Sequence, residues 1–186
     1  MRIKDNEKQE RIKDAMISLI LKEGINGASV AKIAKQAGVS PATIYVYYEN
    51  KEEMLAEVFN EYARKPVSYL GGMLYPSMSG SELIECLIKG AYSYALENEK
   101  EFSFVDQCYS CPTLQESVKE NDCYNEVFDV IHDFQKRRII RSYSDPSIIA
   151  VLFAPVKFIA MNRNSYADPQ AELDELIKML QDMLLY

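Results

Sequence analysis

The chain has 186 residues, the length of one domain or of one domain with a small appendage. Hydrophobic residues make up 48% and charged residues 26%, enough for a packed core, which excludes disorder over most of the length. The net charge of −7 disfavours polyanions, but residues 1–50 sum to +2 and the other 136 to −9, so a nucleic acid is tolerated only at the N-terminal end.

The first element is a helix from about Asn6 to Glu23. Ile12, Ala15, Met16, Leu19 and Ile20 recur at helical spacing on one face, and Gly24 stands where a left-handed terminator belongs. Ser29 is placed to cap a second helix, Val30 to Ala37, which Gly38 ends. Ser40 and Pro41 form an N-cap and first-turn pair for a third helix running to about Tyr48. Asn50, with Glu53 three residues on, is a variant capping box and opens a fourth helix to about Arg64. Two short helices joined by Gly38-Val39-Ser40 make a helix-turn-helix layout, with Ile33, Ala34, Val39 and Ile44 as the packing residues. Ala42, Thr43, Tyr45, Val46 and Tyr47 are left for the outer face.

The run from Ser29 to Leu55, SVAKIAKQAGVSPATIYVYYENKEEML, resembles the DNA-binding signature of TetR-family transcriptional regulators. The likeness covers roughly residues 10 to 60. Ala42 stands where the family often has Gly, Tyr48 where it often has Phe, and Ala31 where some members carry a base-reading Arg. The resemblance implies an all-α chain with a DNA-binding head over residues 1–50 and a helical ligand-binding and dimerisation body over 51–186. It also implies that Tyr45, Tyr47 and Lys51 meet phosphates, with Ser29, Ser40 and Lys32 as further phosphate candidates. Pro41, Ala42, Thr43 and Val46 form the base-reading set. They offer methyl groups and one hydroxyl but no Arg, Asn or Gln fork, so an A/T-weighted half-site read by thymine methyls and DNA shape is expected. In the plain reading of the same residues, Tyr45 and Tyr48 are core, Lys51 is a surface lysine and the two serines only cap helices.

Beyond Pro66 the composition changes. Residues 66–81 read as a loop or broken helix, and Ser79 with Glu82 is a capping box for a helix to about Asn98. Residues 99–120 are irregular, with a short apolar patch from Phe102 to Val105. A helix is expected over about 121–141. Asp145-Pro146 and Asp168-Pro169 are read as N-cap pairs for helices over 146–163 and 169–185, the first bent by Pro155. The first of these two helices carries apolar residues on more than one face, and the second repeats them along its length. By resemblance they build a homodimer interface, which lets two short readers span a palindrome. Tyr92, Phe102, Phe104, Tyr109, Tyr124 and Phe128 suit either a ligand pocket or an ordinary core.

Cys108-Tyr109-Ser110-Cys111 is a single CxxC. With Cys86, Cys123 and His132 it could be drawn as a metal or redox site, but one pair is weak evidence, so no metal and no cofactor is expected. Lys136, Arg137, Arg138 and Arg141 read as a solvated face near a helix C-terminus. No phosphate loop, zinc-protease motif or nucleophile elbow is present, so nothing points to an enzyme. No uncharged stretch reaches the roughly 20 residues of a membrane span. The first ten residues are polar and the cysteines irregular, so a reduced, cytoplasmic protein is expected. The expectation is a dimeric repressor that binds an operator duplex under control of a small-molecule effector. A helical protein-interaction module and a small helical enzyme are the alternatives.

Overall fold

The computed structural model describes residues 2–109, 111–112, 114 and 123–186, all of whose regular elements are helices. In chain order these are α1 (Arg2–Gly27), α2 (Val30–Ala37), α3 (Pro41–Tyr47), α4 (Lys51–Gly71), α5 (Gly80–Glu97), α6 (Glu99–Cys108), α7 (Cys123–Lys136), α8 (Asp145–Met161) and α9 (Pro169–Leu184). They form two compact units, one of Met1–Ala63 with Glu99–Asn121, the other of Arg64–Asn98 with Asp122–Tyr186.

In the first unit, α1 buries Ile12, Ala15, Met16, Leu19 and Ile20 as their spacing predicts, and Ile17 as well, because α1 packs on both α2 and α6. Gly24 does take a left-handed φ of 77°, but the helix resumes beyond it and ends at Gly27, so the terminator acts as a kink. The α2–α3 turn follows its sequence signals closely. Ser29 accepts from the Lys32 amide, Gly38 is left-handed at φ 68° and returns its N–H to Ala34 and Lys35, and Ser40 accepts from the Thr43 amide. A β-carbon at Gly38 would pay for that φ, which is why the residue there is Gly.

Two expectations fail in this stretch for the same reason. Helix α4 continues past Arg64 and through Pro66 to Gly71, although proline removes a helical hydrogen bond. Val67 and Leu70 pack into the core of the second unit, and that burial outweighs the local penalty. Residues 99–108, read as irregular, are helix α6. Phe104 and Cys108, four apart, are fully buried, with the Phe104 ring set edge-on to Tyr62 at 6.3 Å. Ten residues hold too few turns for the period to stand out in sequence.

The core of the second unit is built by Leu83, Ile84, Leu87 and Ile88 of α5, Ile148, Leu152 and Val156 of α8, and Leu173, Ile177, Leu180 and Leu184 of α9. The Ser79–Glu82 capping box forms with both reciprocal bonds, and Asp168 caps α9 on the Gln170 and Ala171 amides. Asp145 is not a cap. Ser144 occupies the N-cap position, and the Asp145 carboxylate instead meets His132 Nε2 at 2.7 Å.

Helix α7 stops at Lys136, short of Arg141. The Arg138 amide bonds the Gln135 carbonyl and the Ile139 amide the Phe134 carbonyl, a Schellman motif with Arg138 at the left-handed position, φ 58°. Glycine is the usual residue there, so Arg138→Gly is expected to raise stability by about 0.5–1 kcal/mol in chemical denaturation. No gain would mean that the Arg138 side chain contributes as much as its backbone costs.

Candidate nucleic-acid interface

Helix α3 divides its seven residues between two tasks. Ile44 is buried, and Tyr48, just past the helix end, is 2% exposed with its hydroxyl accepting from Gln9 Nε2 at 3.4 Å. Burial pushes the Tyr48 hydroxyl above its ordinary pKa. Tyr48 is therefore core. On the other side Tyr45 is 56% and Val46 78% exposed, with Pro41 and Ala42 also open to solvent and Thr43 and Tyr47 half-buried. Open to solvent, Tyr45 and Val46 add little to the stability of the fold.

The serines and lysines expected near phosphates all have intramolecular bonds. Besides capping α2 and α3, Ser40 shares a hydroxyl–hydroxyl hydrogen bond of 2.9 Å with Thr43. Lys51 Nζ donates to the Ile25 carbonyl at 2.7 Å, fastening the start of α4 to the end of α1. Lys32 Nζ donates to Glu23 Oε2 at 2.6 Å and to the Gly27 carbonyl at 3.1 Å. The hydrogen bond from Lys32 holds the Glu23 carboxyl below its ordinary pKa, with weaker help from Lys22. Asn50 accepts from the Glu53 amide at 2.7 Å as a capping box requires, while the Glu53 carboxylate reaches the Glu49 amide rather than that of Asn50.

One polar cluster has no counterpart in the sequence reading. Lys13, buried in α1, donates to Glu61 Oε2 at 2.5 Å and to Glu10 Oε1 at 3.0 Å, tying α1 to α4 inside the first unit. Burial alone would lower the Lys13 pKa, but the hydrogen bonds and charges of Glu61 and Glu10 outweigh it and raise the pKa above the ordinary lysine value. The signal was present in the sequence, since Lys13, Met16, Ile17 and Ile20 share one helical face.

The aromatic residues considered for a ligand fall in both units. Tyr92 and Phe128 lie half-buried against the core of the second unit. Phe104 is core of the first, where Tyr109 sets its ring edge-on to Phe59 at 5.4 Å and Phe102 is half-buried. The Tyr124 side chain lies outside the described residues. Ser110 of the CxxC does too, as does the Cys123 side chain. Burial pushes the Cys108 thiol up to about 12, the reverse of a reactive thiolate. Lys136, Arg137, Arg138 and Arg141 are all exposed, with Arg137 over the Phe134 ring and Arg141 over that of Tyr186.

Residues 12–58, covering most of α1, all of α2 and α3 and the start of α4, match the model of the bacterial regulatory proteins of the tetR family. Over this stretch the chain resembles the TetR family. The chain is 46% identical over 54 residues to the fatty acid metabolism regulator protein of Bacillus subtilis, a stretch covering 29% of this chain and 28% of that one. The TetR fold extends over its full length. A TetR-family regulator from Marinobacter aquaeolei superposes with a TM-score of 0.83 at 22% identity, covering 100% of this chain and 99% of the other. The Bacillus subtilis regulator FadR, solved in complex with stearoyl-CoA, gives 0.72 at 24% identity over 92% and 96%. The relatives named here are transcriptional regulators. No helix among the described residues is long and apolar enough to cross a membrane.

Proposed function

We propose that the protein is a cytoplasmic, ligand-responsive repressor that binds a palindromic operator as a homodimer. Residues 1–50 serve as its reading head and 51–186 as its effector and dimerisation body. Tyr45, Tyr47, Lys51, Lys32, Ser29 and Ser40 meet phosphates, which fix the register of the head on the duplex, while Pro41, Ala42, Thr43 and Val46 face the base edges. The observation that carries this reading is the open face of α3 laid over a fully packed Ile44–Tyr48 side. With no amide or guanidinium fork among the base-facing residues, sequence preference rests on thymine methyls and groove shape.

The proposed dimer uses α8 and α9, where Phe158, Met161, Met179 and Met183 stand exposed on helices whose other faces form the core. For the effector we propose a ligand with a long apolar chain, in the class of the acyl-CoA bound by the FadR relative, with Tyr92 and Phe128 in its lining. Such an effector alters operator affinity through a coupling of about 1–3 kcal/mol.

Selection of bound duplexes from a random pool tests the reading, followed by salt titration of the enriched duplex with Tyr45→Phe and Lys51→Ala variants. An enriched A/T-weighted palindrome is expected. Lys51→Ala should flatten the slope of log affinity against log salt by about one per head. An enriched site read through a G/C core, or an unchanged slope, would contradict it.

A further inference from the structure

At the junction of α1 and α2 an ion pair joins Glu23 to Lys32. The kink at Gly24 turns the last residues of α1 so that Gly27 lies against the Glu23 side chain. A β-carbon on Gly27 would come within 2.6 Å of Glu23 Cβ and 3.4 Å of its Oε2. The Glu23 carboxylate is held there beside the Gly27 carbonyl, and Lys32 Nζ closes onto both oxygens. An ammonium has three protons to give. In the DNA-free protein two of the three on Lys32 go to these acceptors, one of them a full negative charge at 2.6 Å, the separation of a strong charge-assisted bond.

We infer that Glu23 is a resident competitor for the DNA phosphate at Lys32, and so sets how strongly the head is drawn to any duplex. This rests on the reading that Lys32 meets a phosphate. A phosphate arriving at Lys32 has to displace a carboxylate already in place and then sit near it. The ion pair is half-exposed on the lysine side, so the exchange is open to solvent and reversible. The head is then close to neutral at this point until the exchange occurs, and it releases fewer counterions on binding than a free lysine would. Generic attraction to DNA is lowered while the contact itself remains available. Gly27 belongs to the device, because a larger residue would push the carboxylate off its station.

The test measures binding of the full-length protein to a duplex of scrambled sequence across a salt series. It compares wild type, Glu23→Gln, Lys32→Ala and the double variant, each checked by circular dichroism. Glu23→Gln is expected to bind about three- to tenfold tighter in a two-headed protein, with a steeper salt slope. Lys32→Ala should bind more weakly with a slope flatter by about one per head, and the double variant should match Lys32→Ala. If Lys32→Ala weakens binding but Glu23→Gln gives no gain, the competitor is overturned while the phosphate reading stands. An equal gain from Glu23→Gln with and without Lys32 would overturn it too, because Glu23 would then act by general repulsion. If Lys32→Ala changes nothing, the phosphate reading itself fails. Should Glu23→Gln not fold, Glu23→Asp, which keeps the charge but shortens the reach, is read against the same outcomes.

Discussion

Replacing Phe158 and Met179 together by Glu is expected to leave a folded monomer whose operator affinity is lower by about 100-fold or more. Both side chains are more than half exposed, at 61% and 62%, so the fold of one chain does not depend on them. Across a dimer interface the same positions would be desolvated, and a carboxylate buried there without a partner costs several kcal/mol. Loss of the partner also removes the tether that makes the second head bind as if at millimolar concentration, worth about 10²–10⁴ in apparent affinity. Sedimentation analysis beside operator titration checks both halves of the prediction. A double variant that sediments as a dimer would rule out α8 and α9 as the interface.

The second large effect lies in the Lys13 cluster, where the two ends of one ion pair should respond unequally. Glu61→Ala leaves a buried ammonium with Glu10 alone and is expected to cost about 2–4 kcal/mol. Lys13→Met removes the charge along with its need for a partner, fills similar space, and should stay within about 1 kcal/mol of wild type. Urea denaturation of the two variants decides it, and equal losses would mean that the pair contributes by attraction alone.

The cluster also sets a pH limit. The pKa of Lys13 is raised above its ordinary value of 10.5, burial raises Tyr48 above 10.0, and burial followed by the Glu61 charge pushes Tyr62 up to about 12. For groups raised in this way the stabilisation is fully present below the unfolded pKa and is lost as pH rises toward the folded one. Stability should therefore fall from about pH 10 upward, and less steeply in Lys13→Met.

What the sequence revealed was mostly punctuation. Ser29, Gly38, Ser40 with Pro41, Ser79 with Glu82 and Asp168 with Pro169 act within a few residues of themselves, so their meaning survives without the fold. The outward face of α3 was legible for the same reason, since one helical turn sets it. What stayed hidden depends on partners far along the chain. Lys13 needs Glu61, 48 residues away, Lys32 reaches back to Glu23 across the kink at Gly24, and Asp145 looked like a cap until His132 took its carboxylate. The passage of α4 through Pro66 is likewise decided by what Val67 and Leu70 bury, not by the proline.

The division of labour on α3 also bears on how such a protein can change over time. Ile44 and the adjoining Tyr48 hold the fold, while Ala42 and Val46, on the same short stretch, face away from it and carry almost none of its stability. A new side chain at either outward position would meet no packing constraint, so under the proposed base-reading role of these two residues operator preference can drift through viable single-residue steps. Ala42, small and uncommitted, is where a laboratory lineage under selection for a new operator should accumulate its first change.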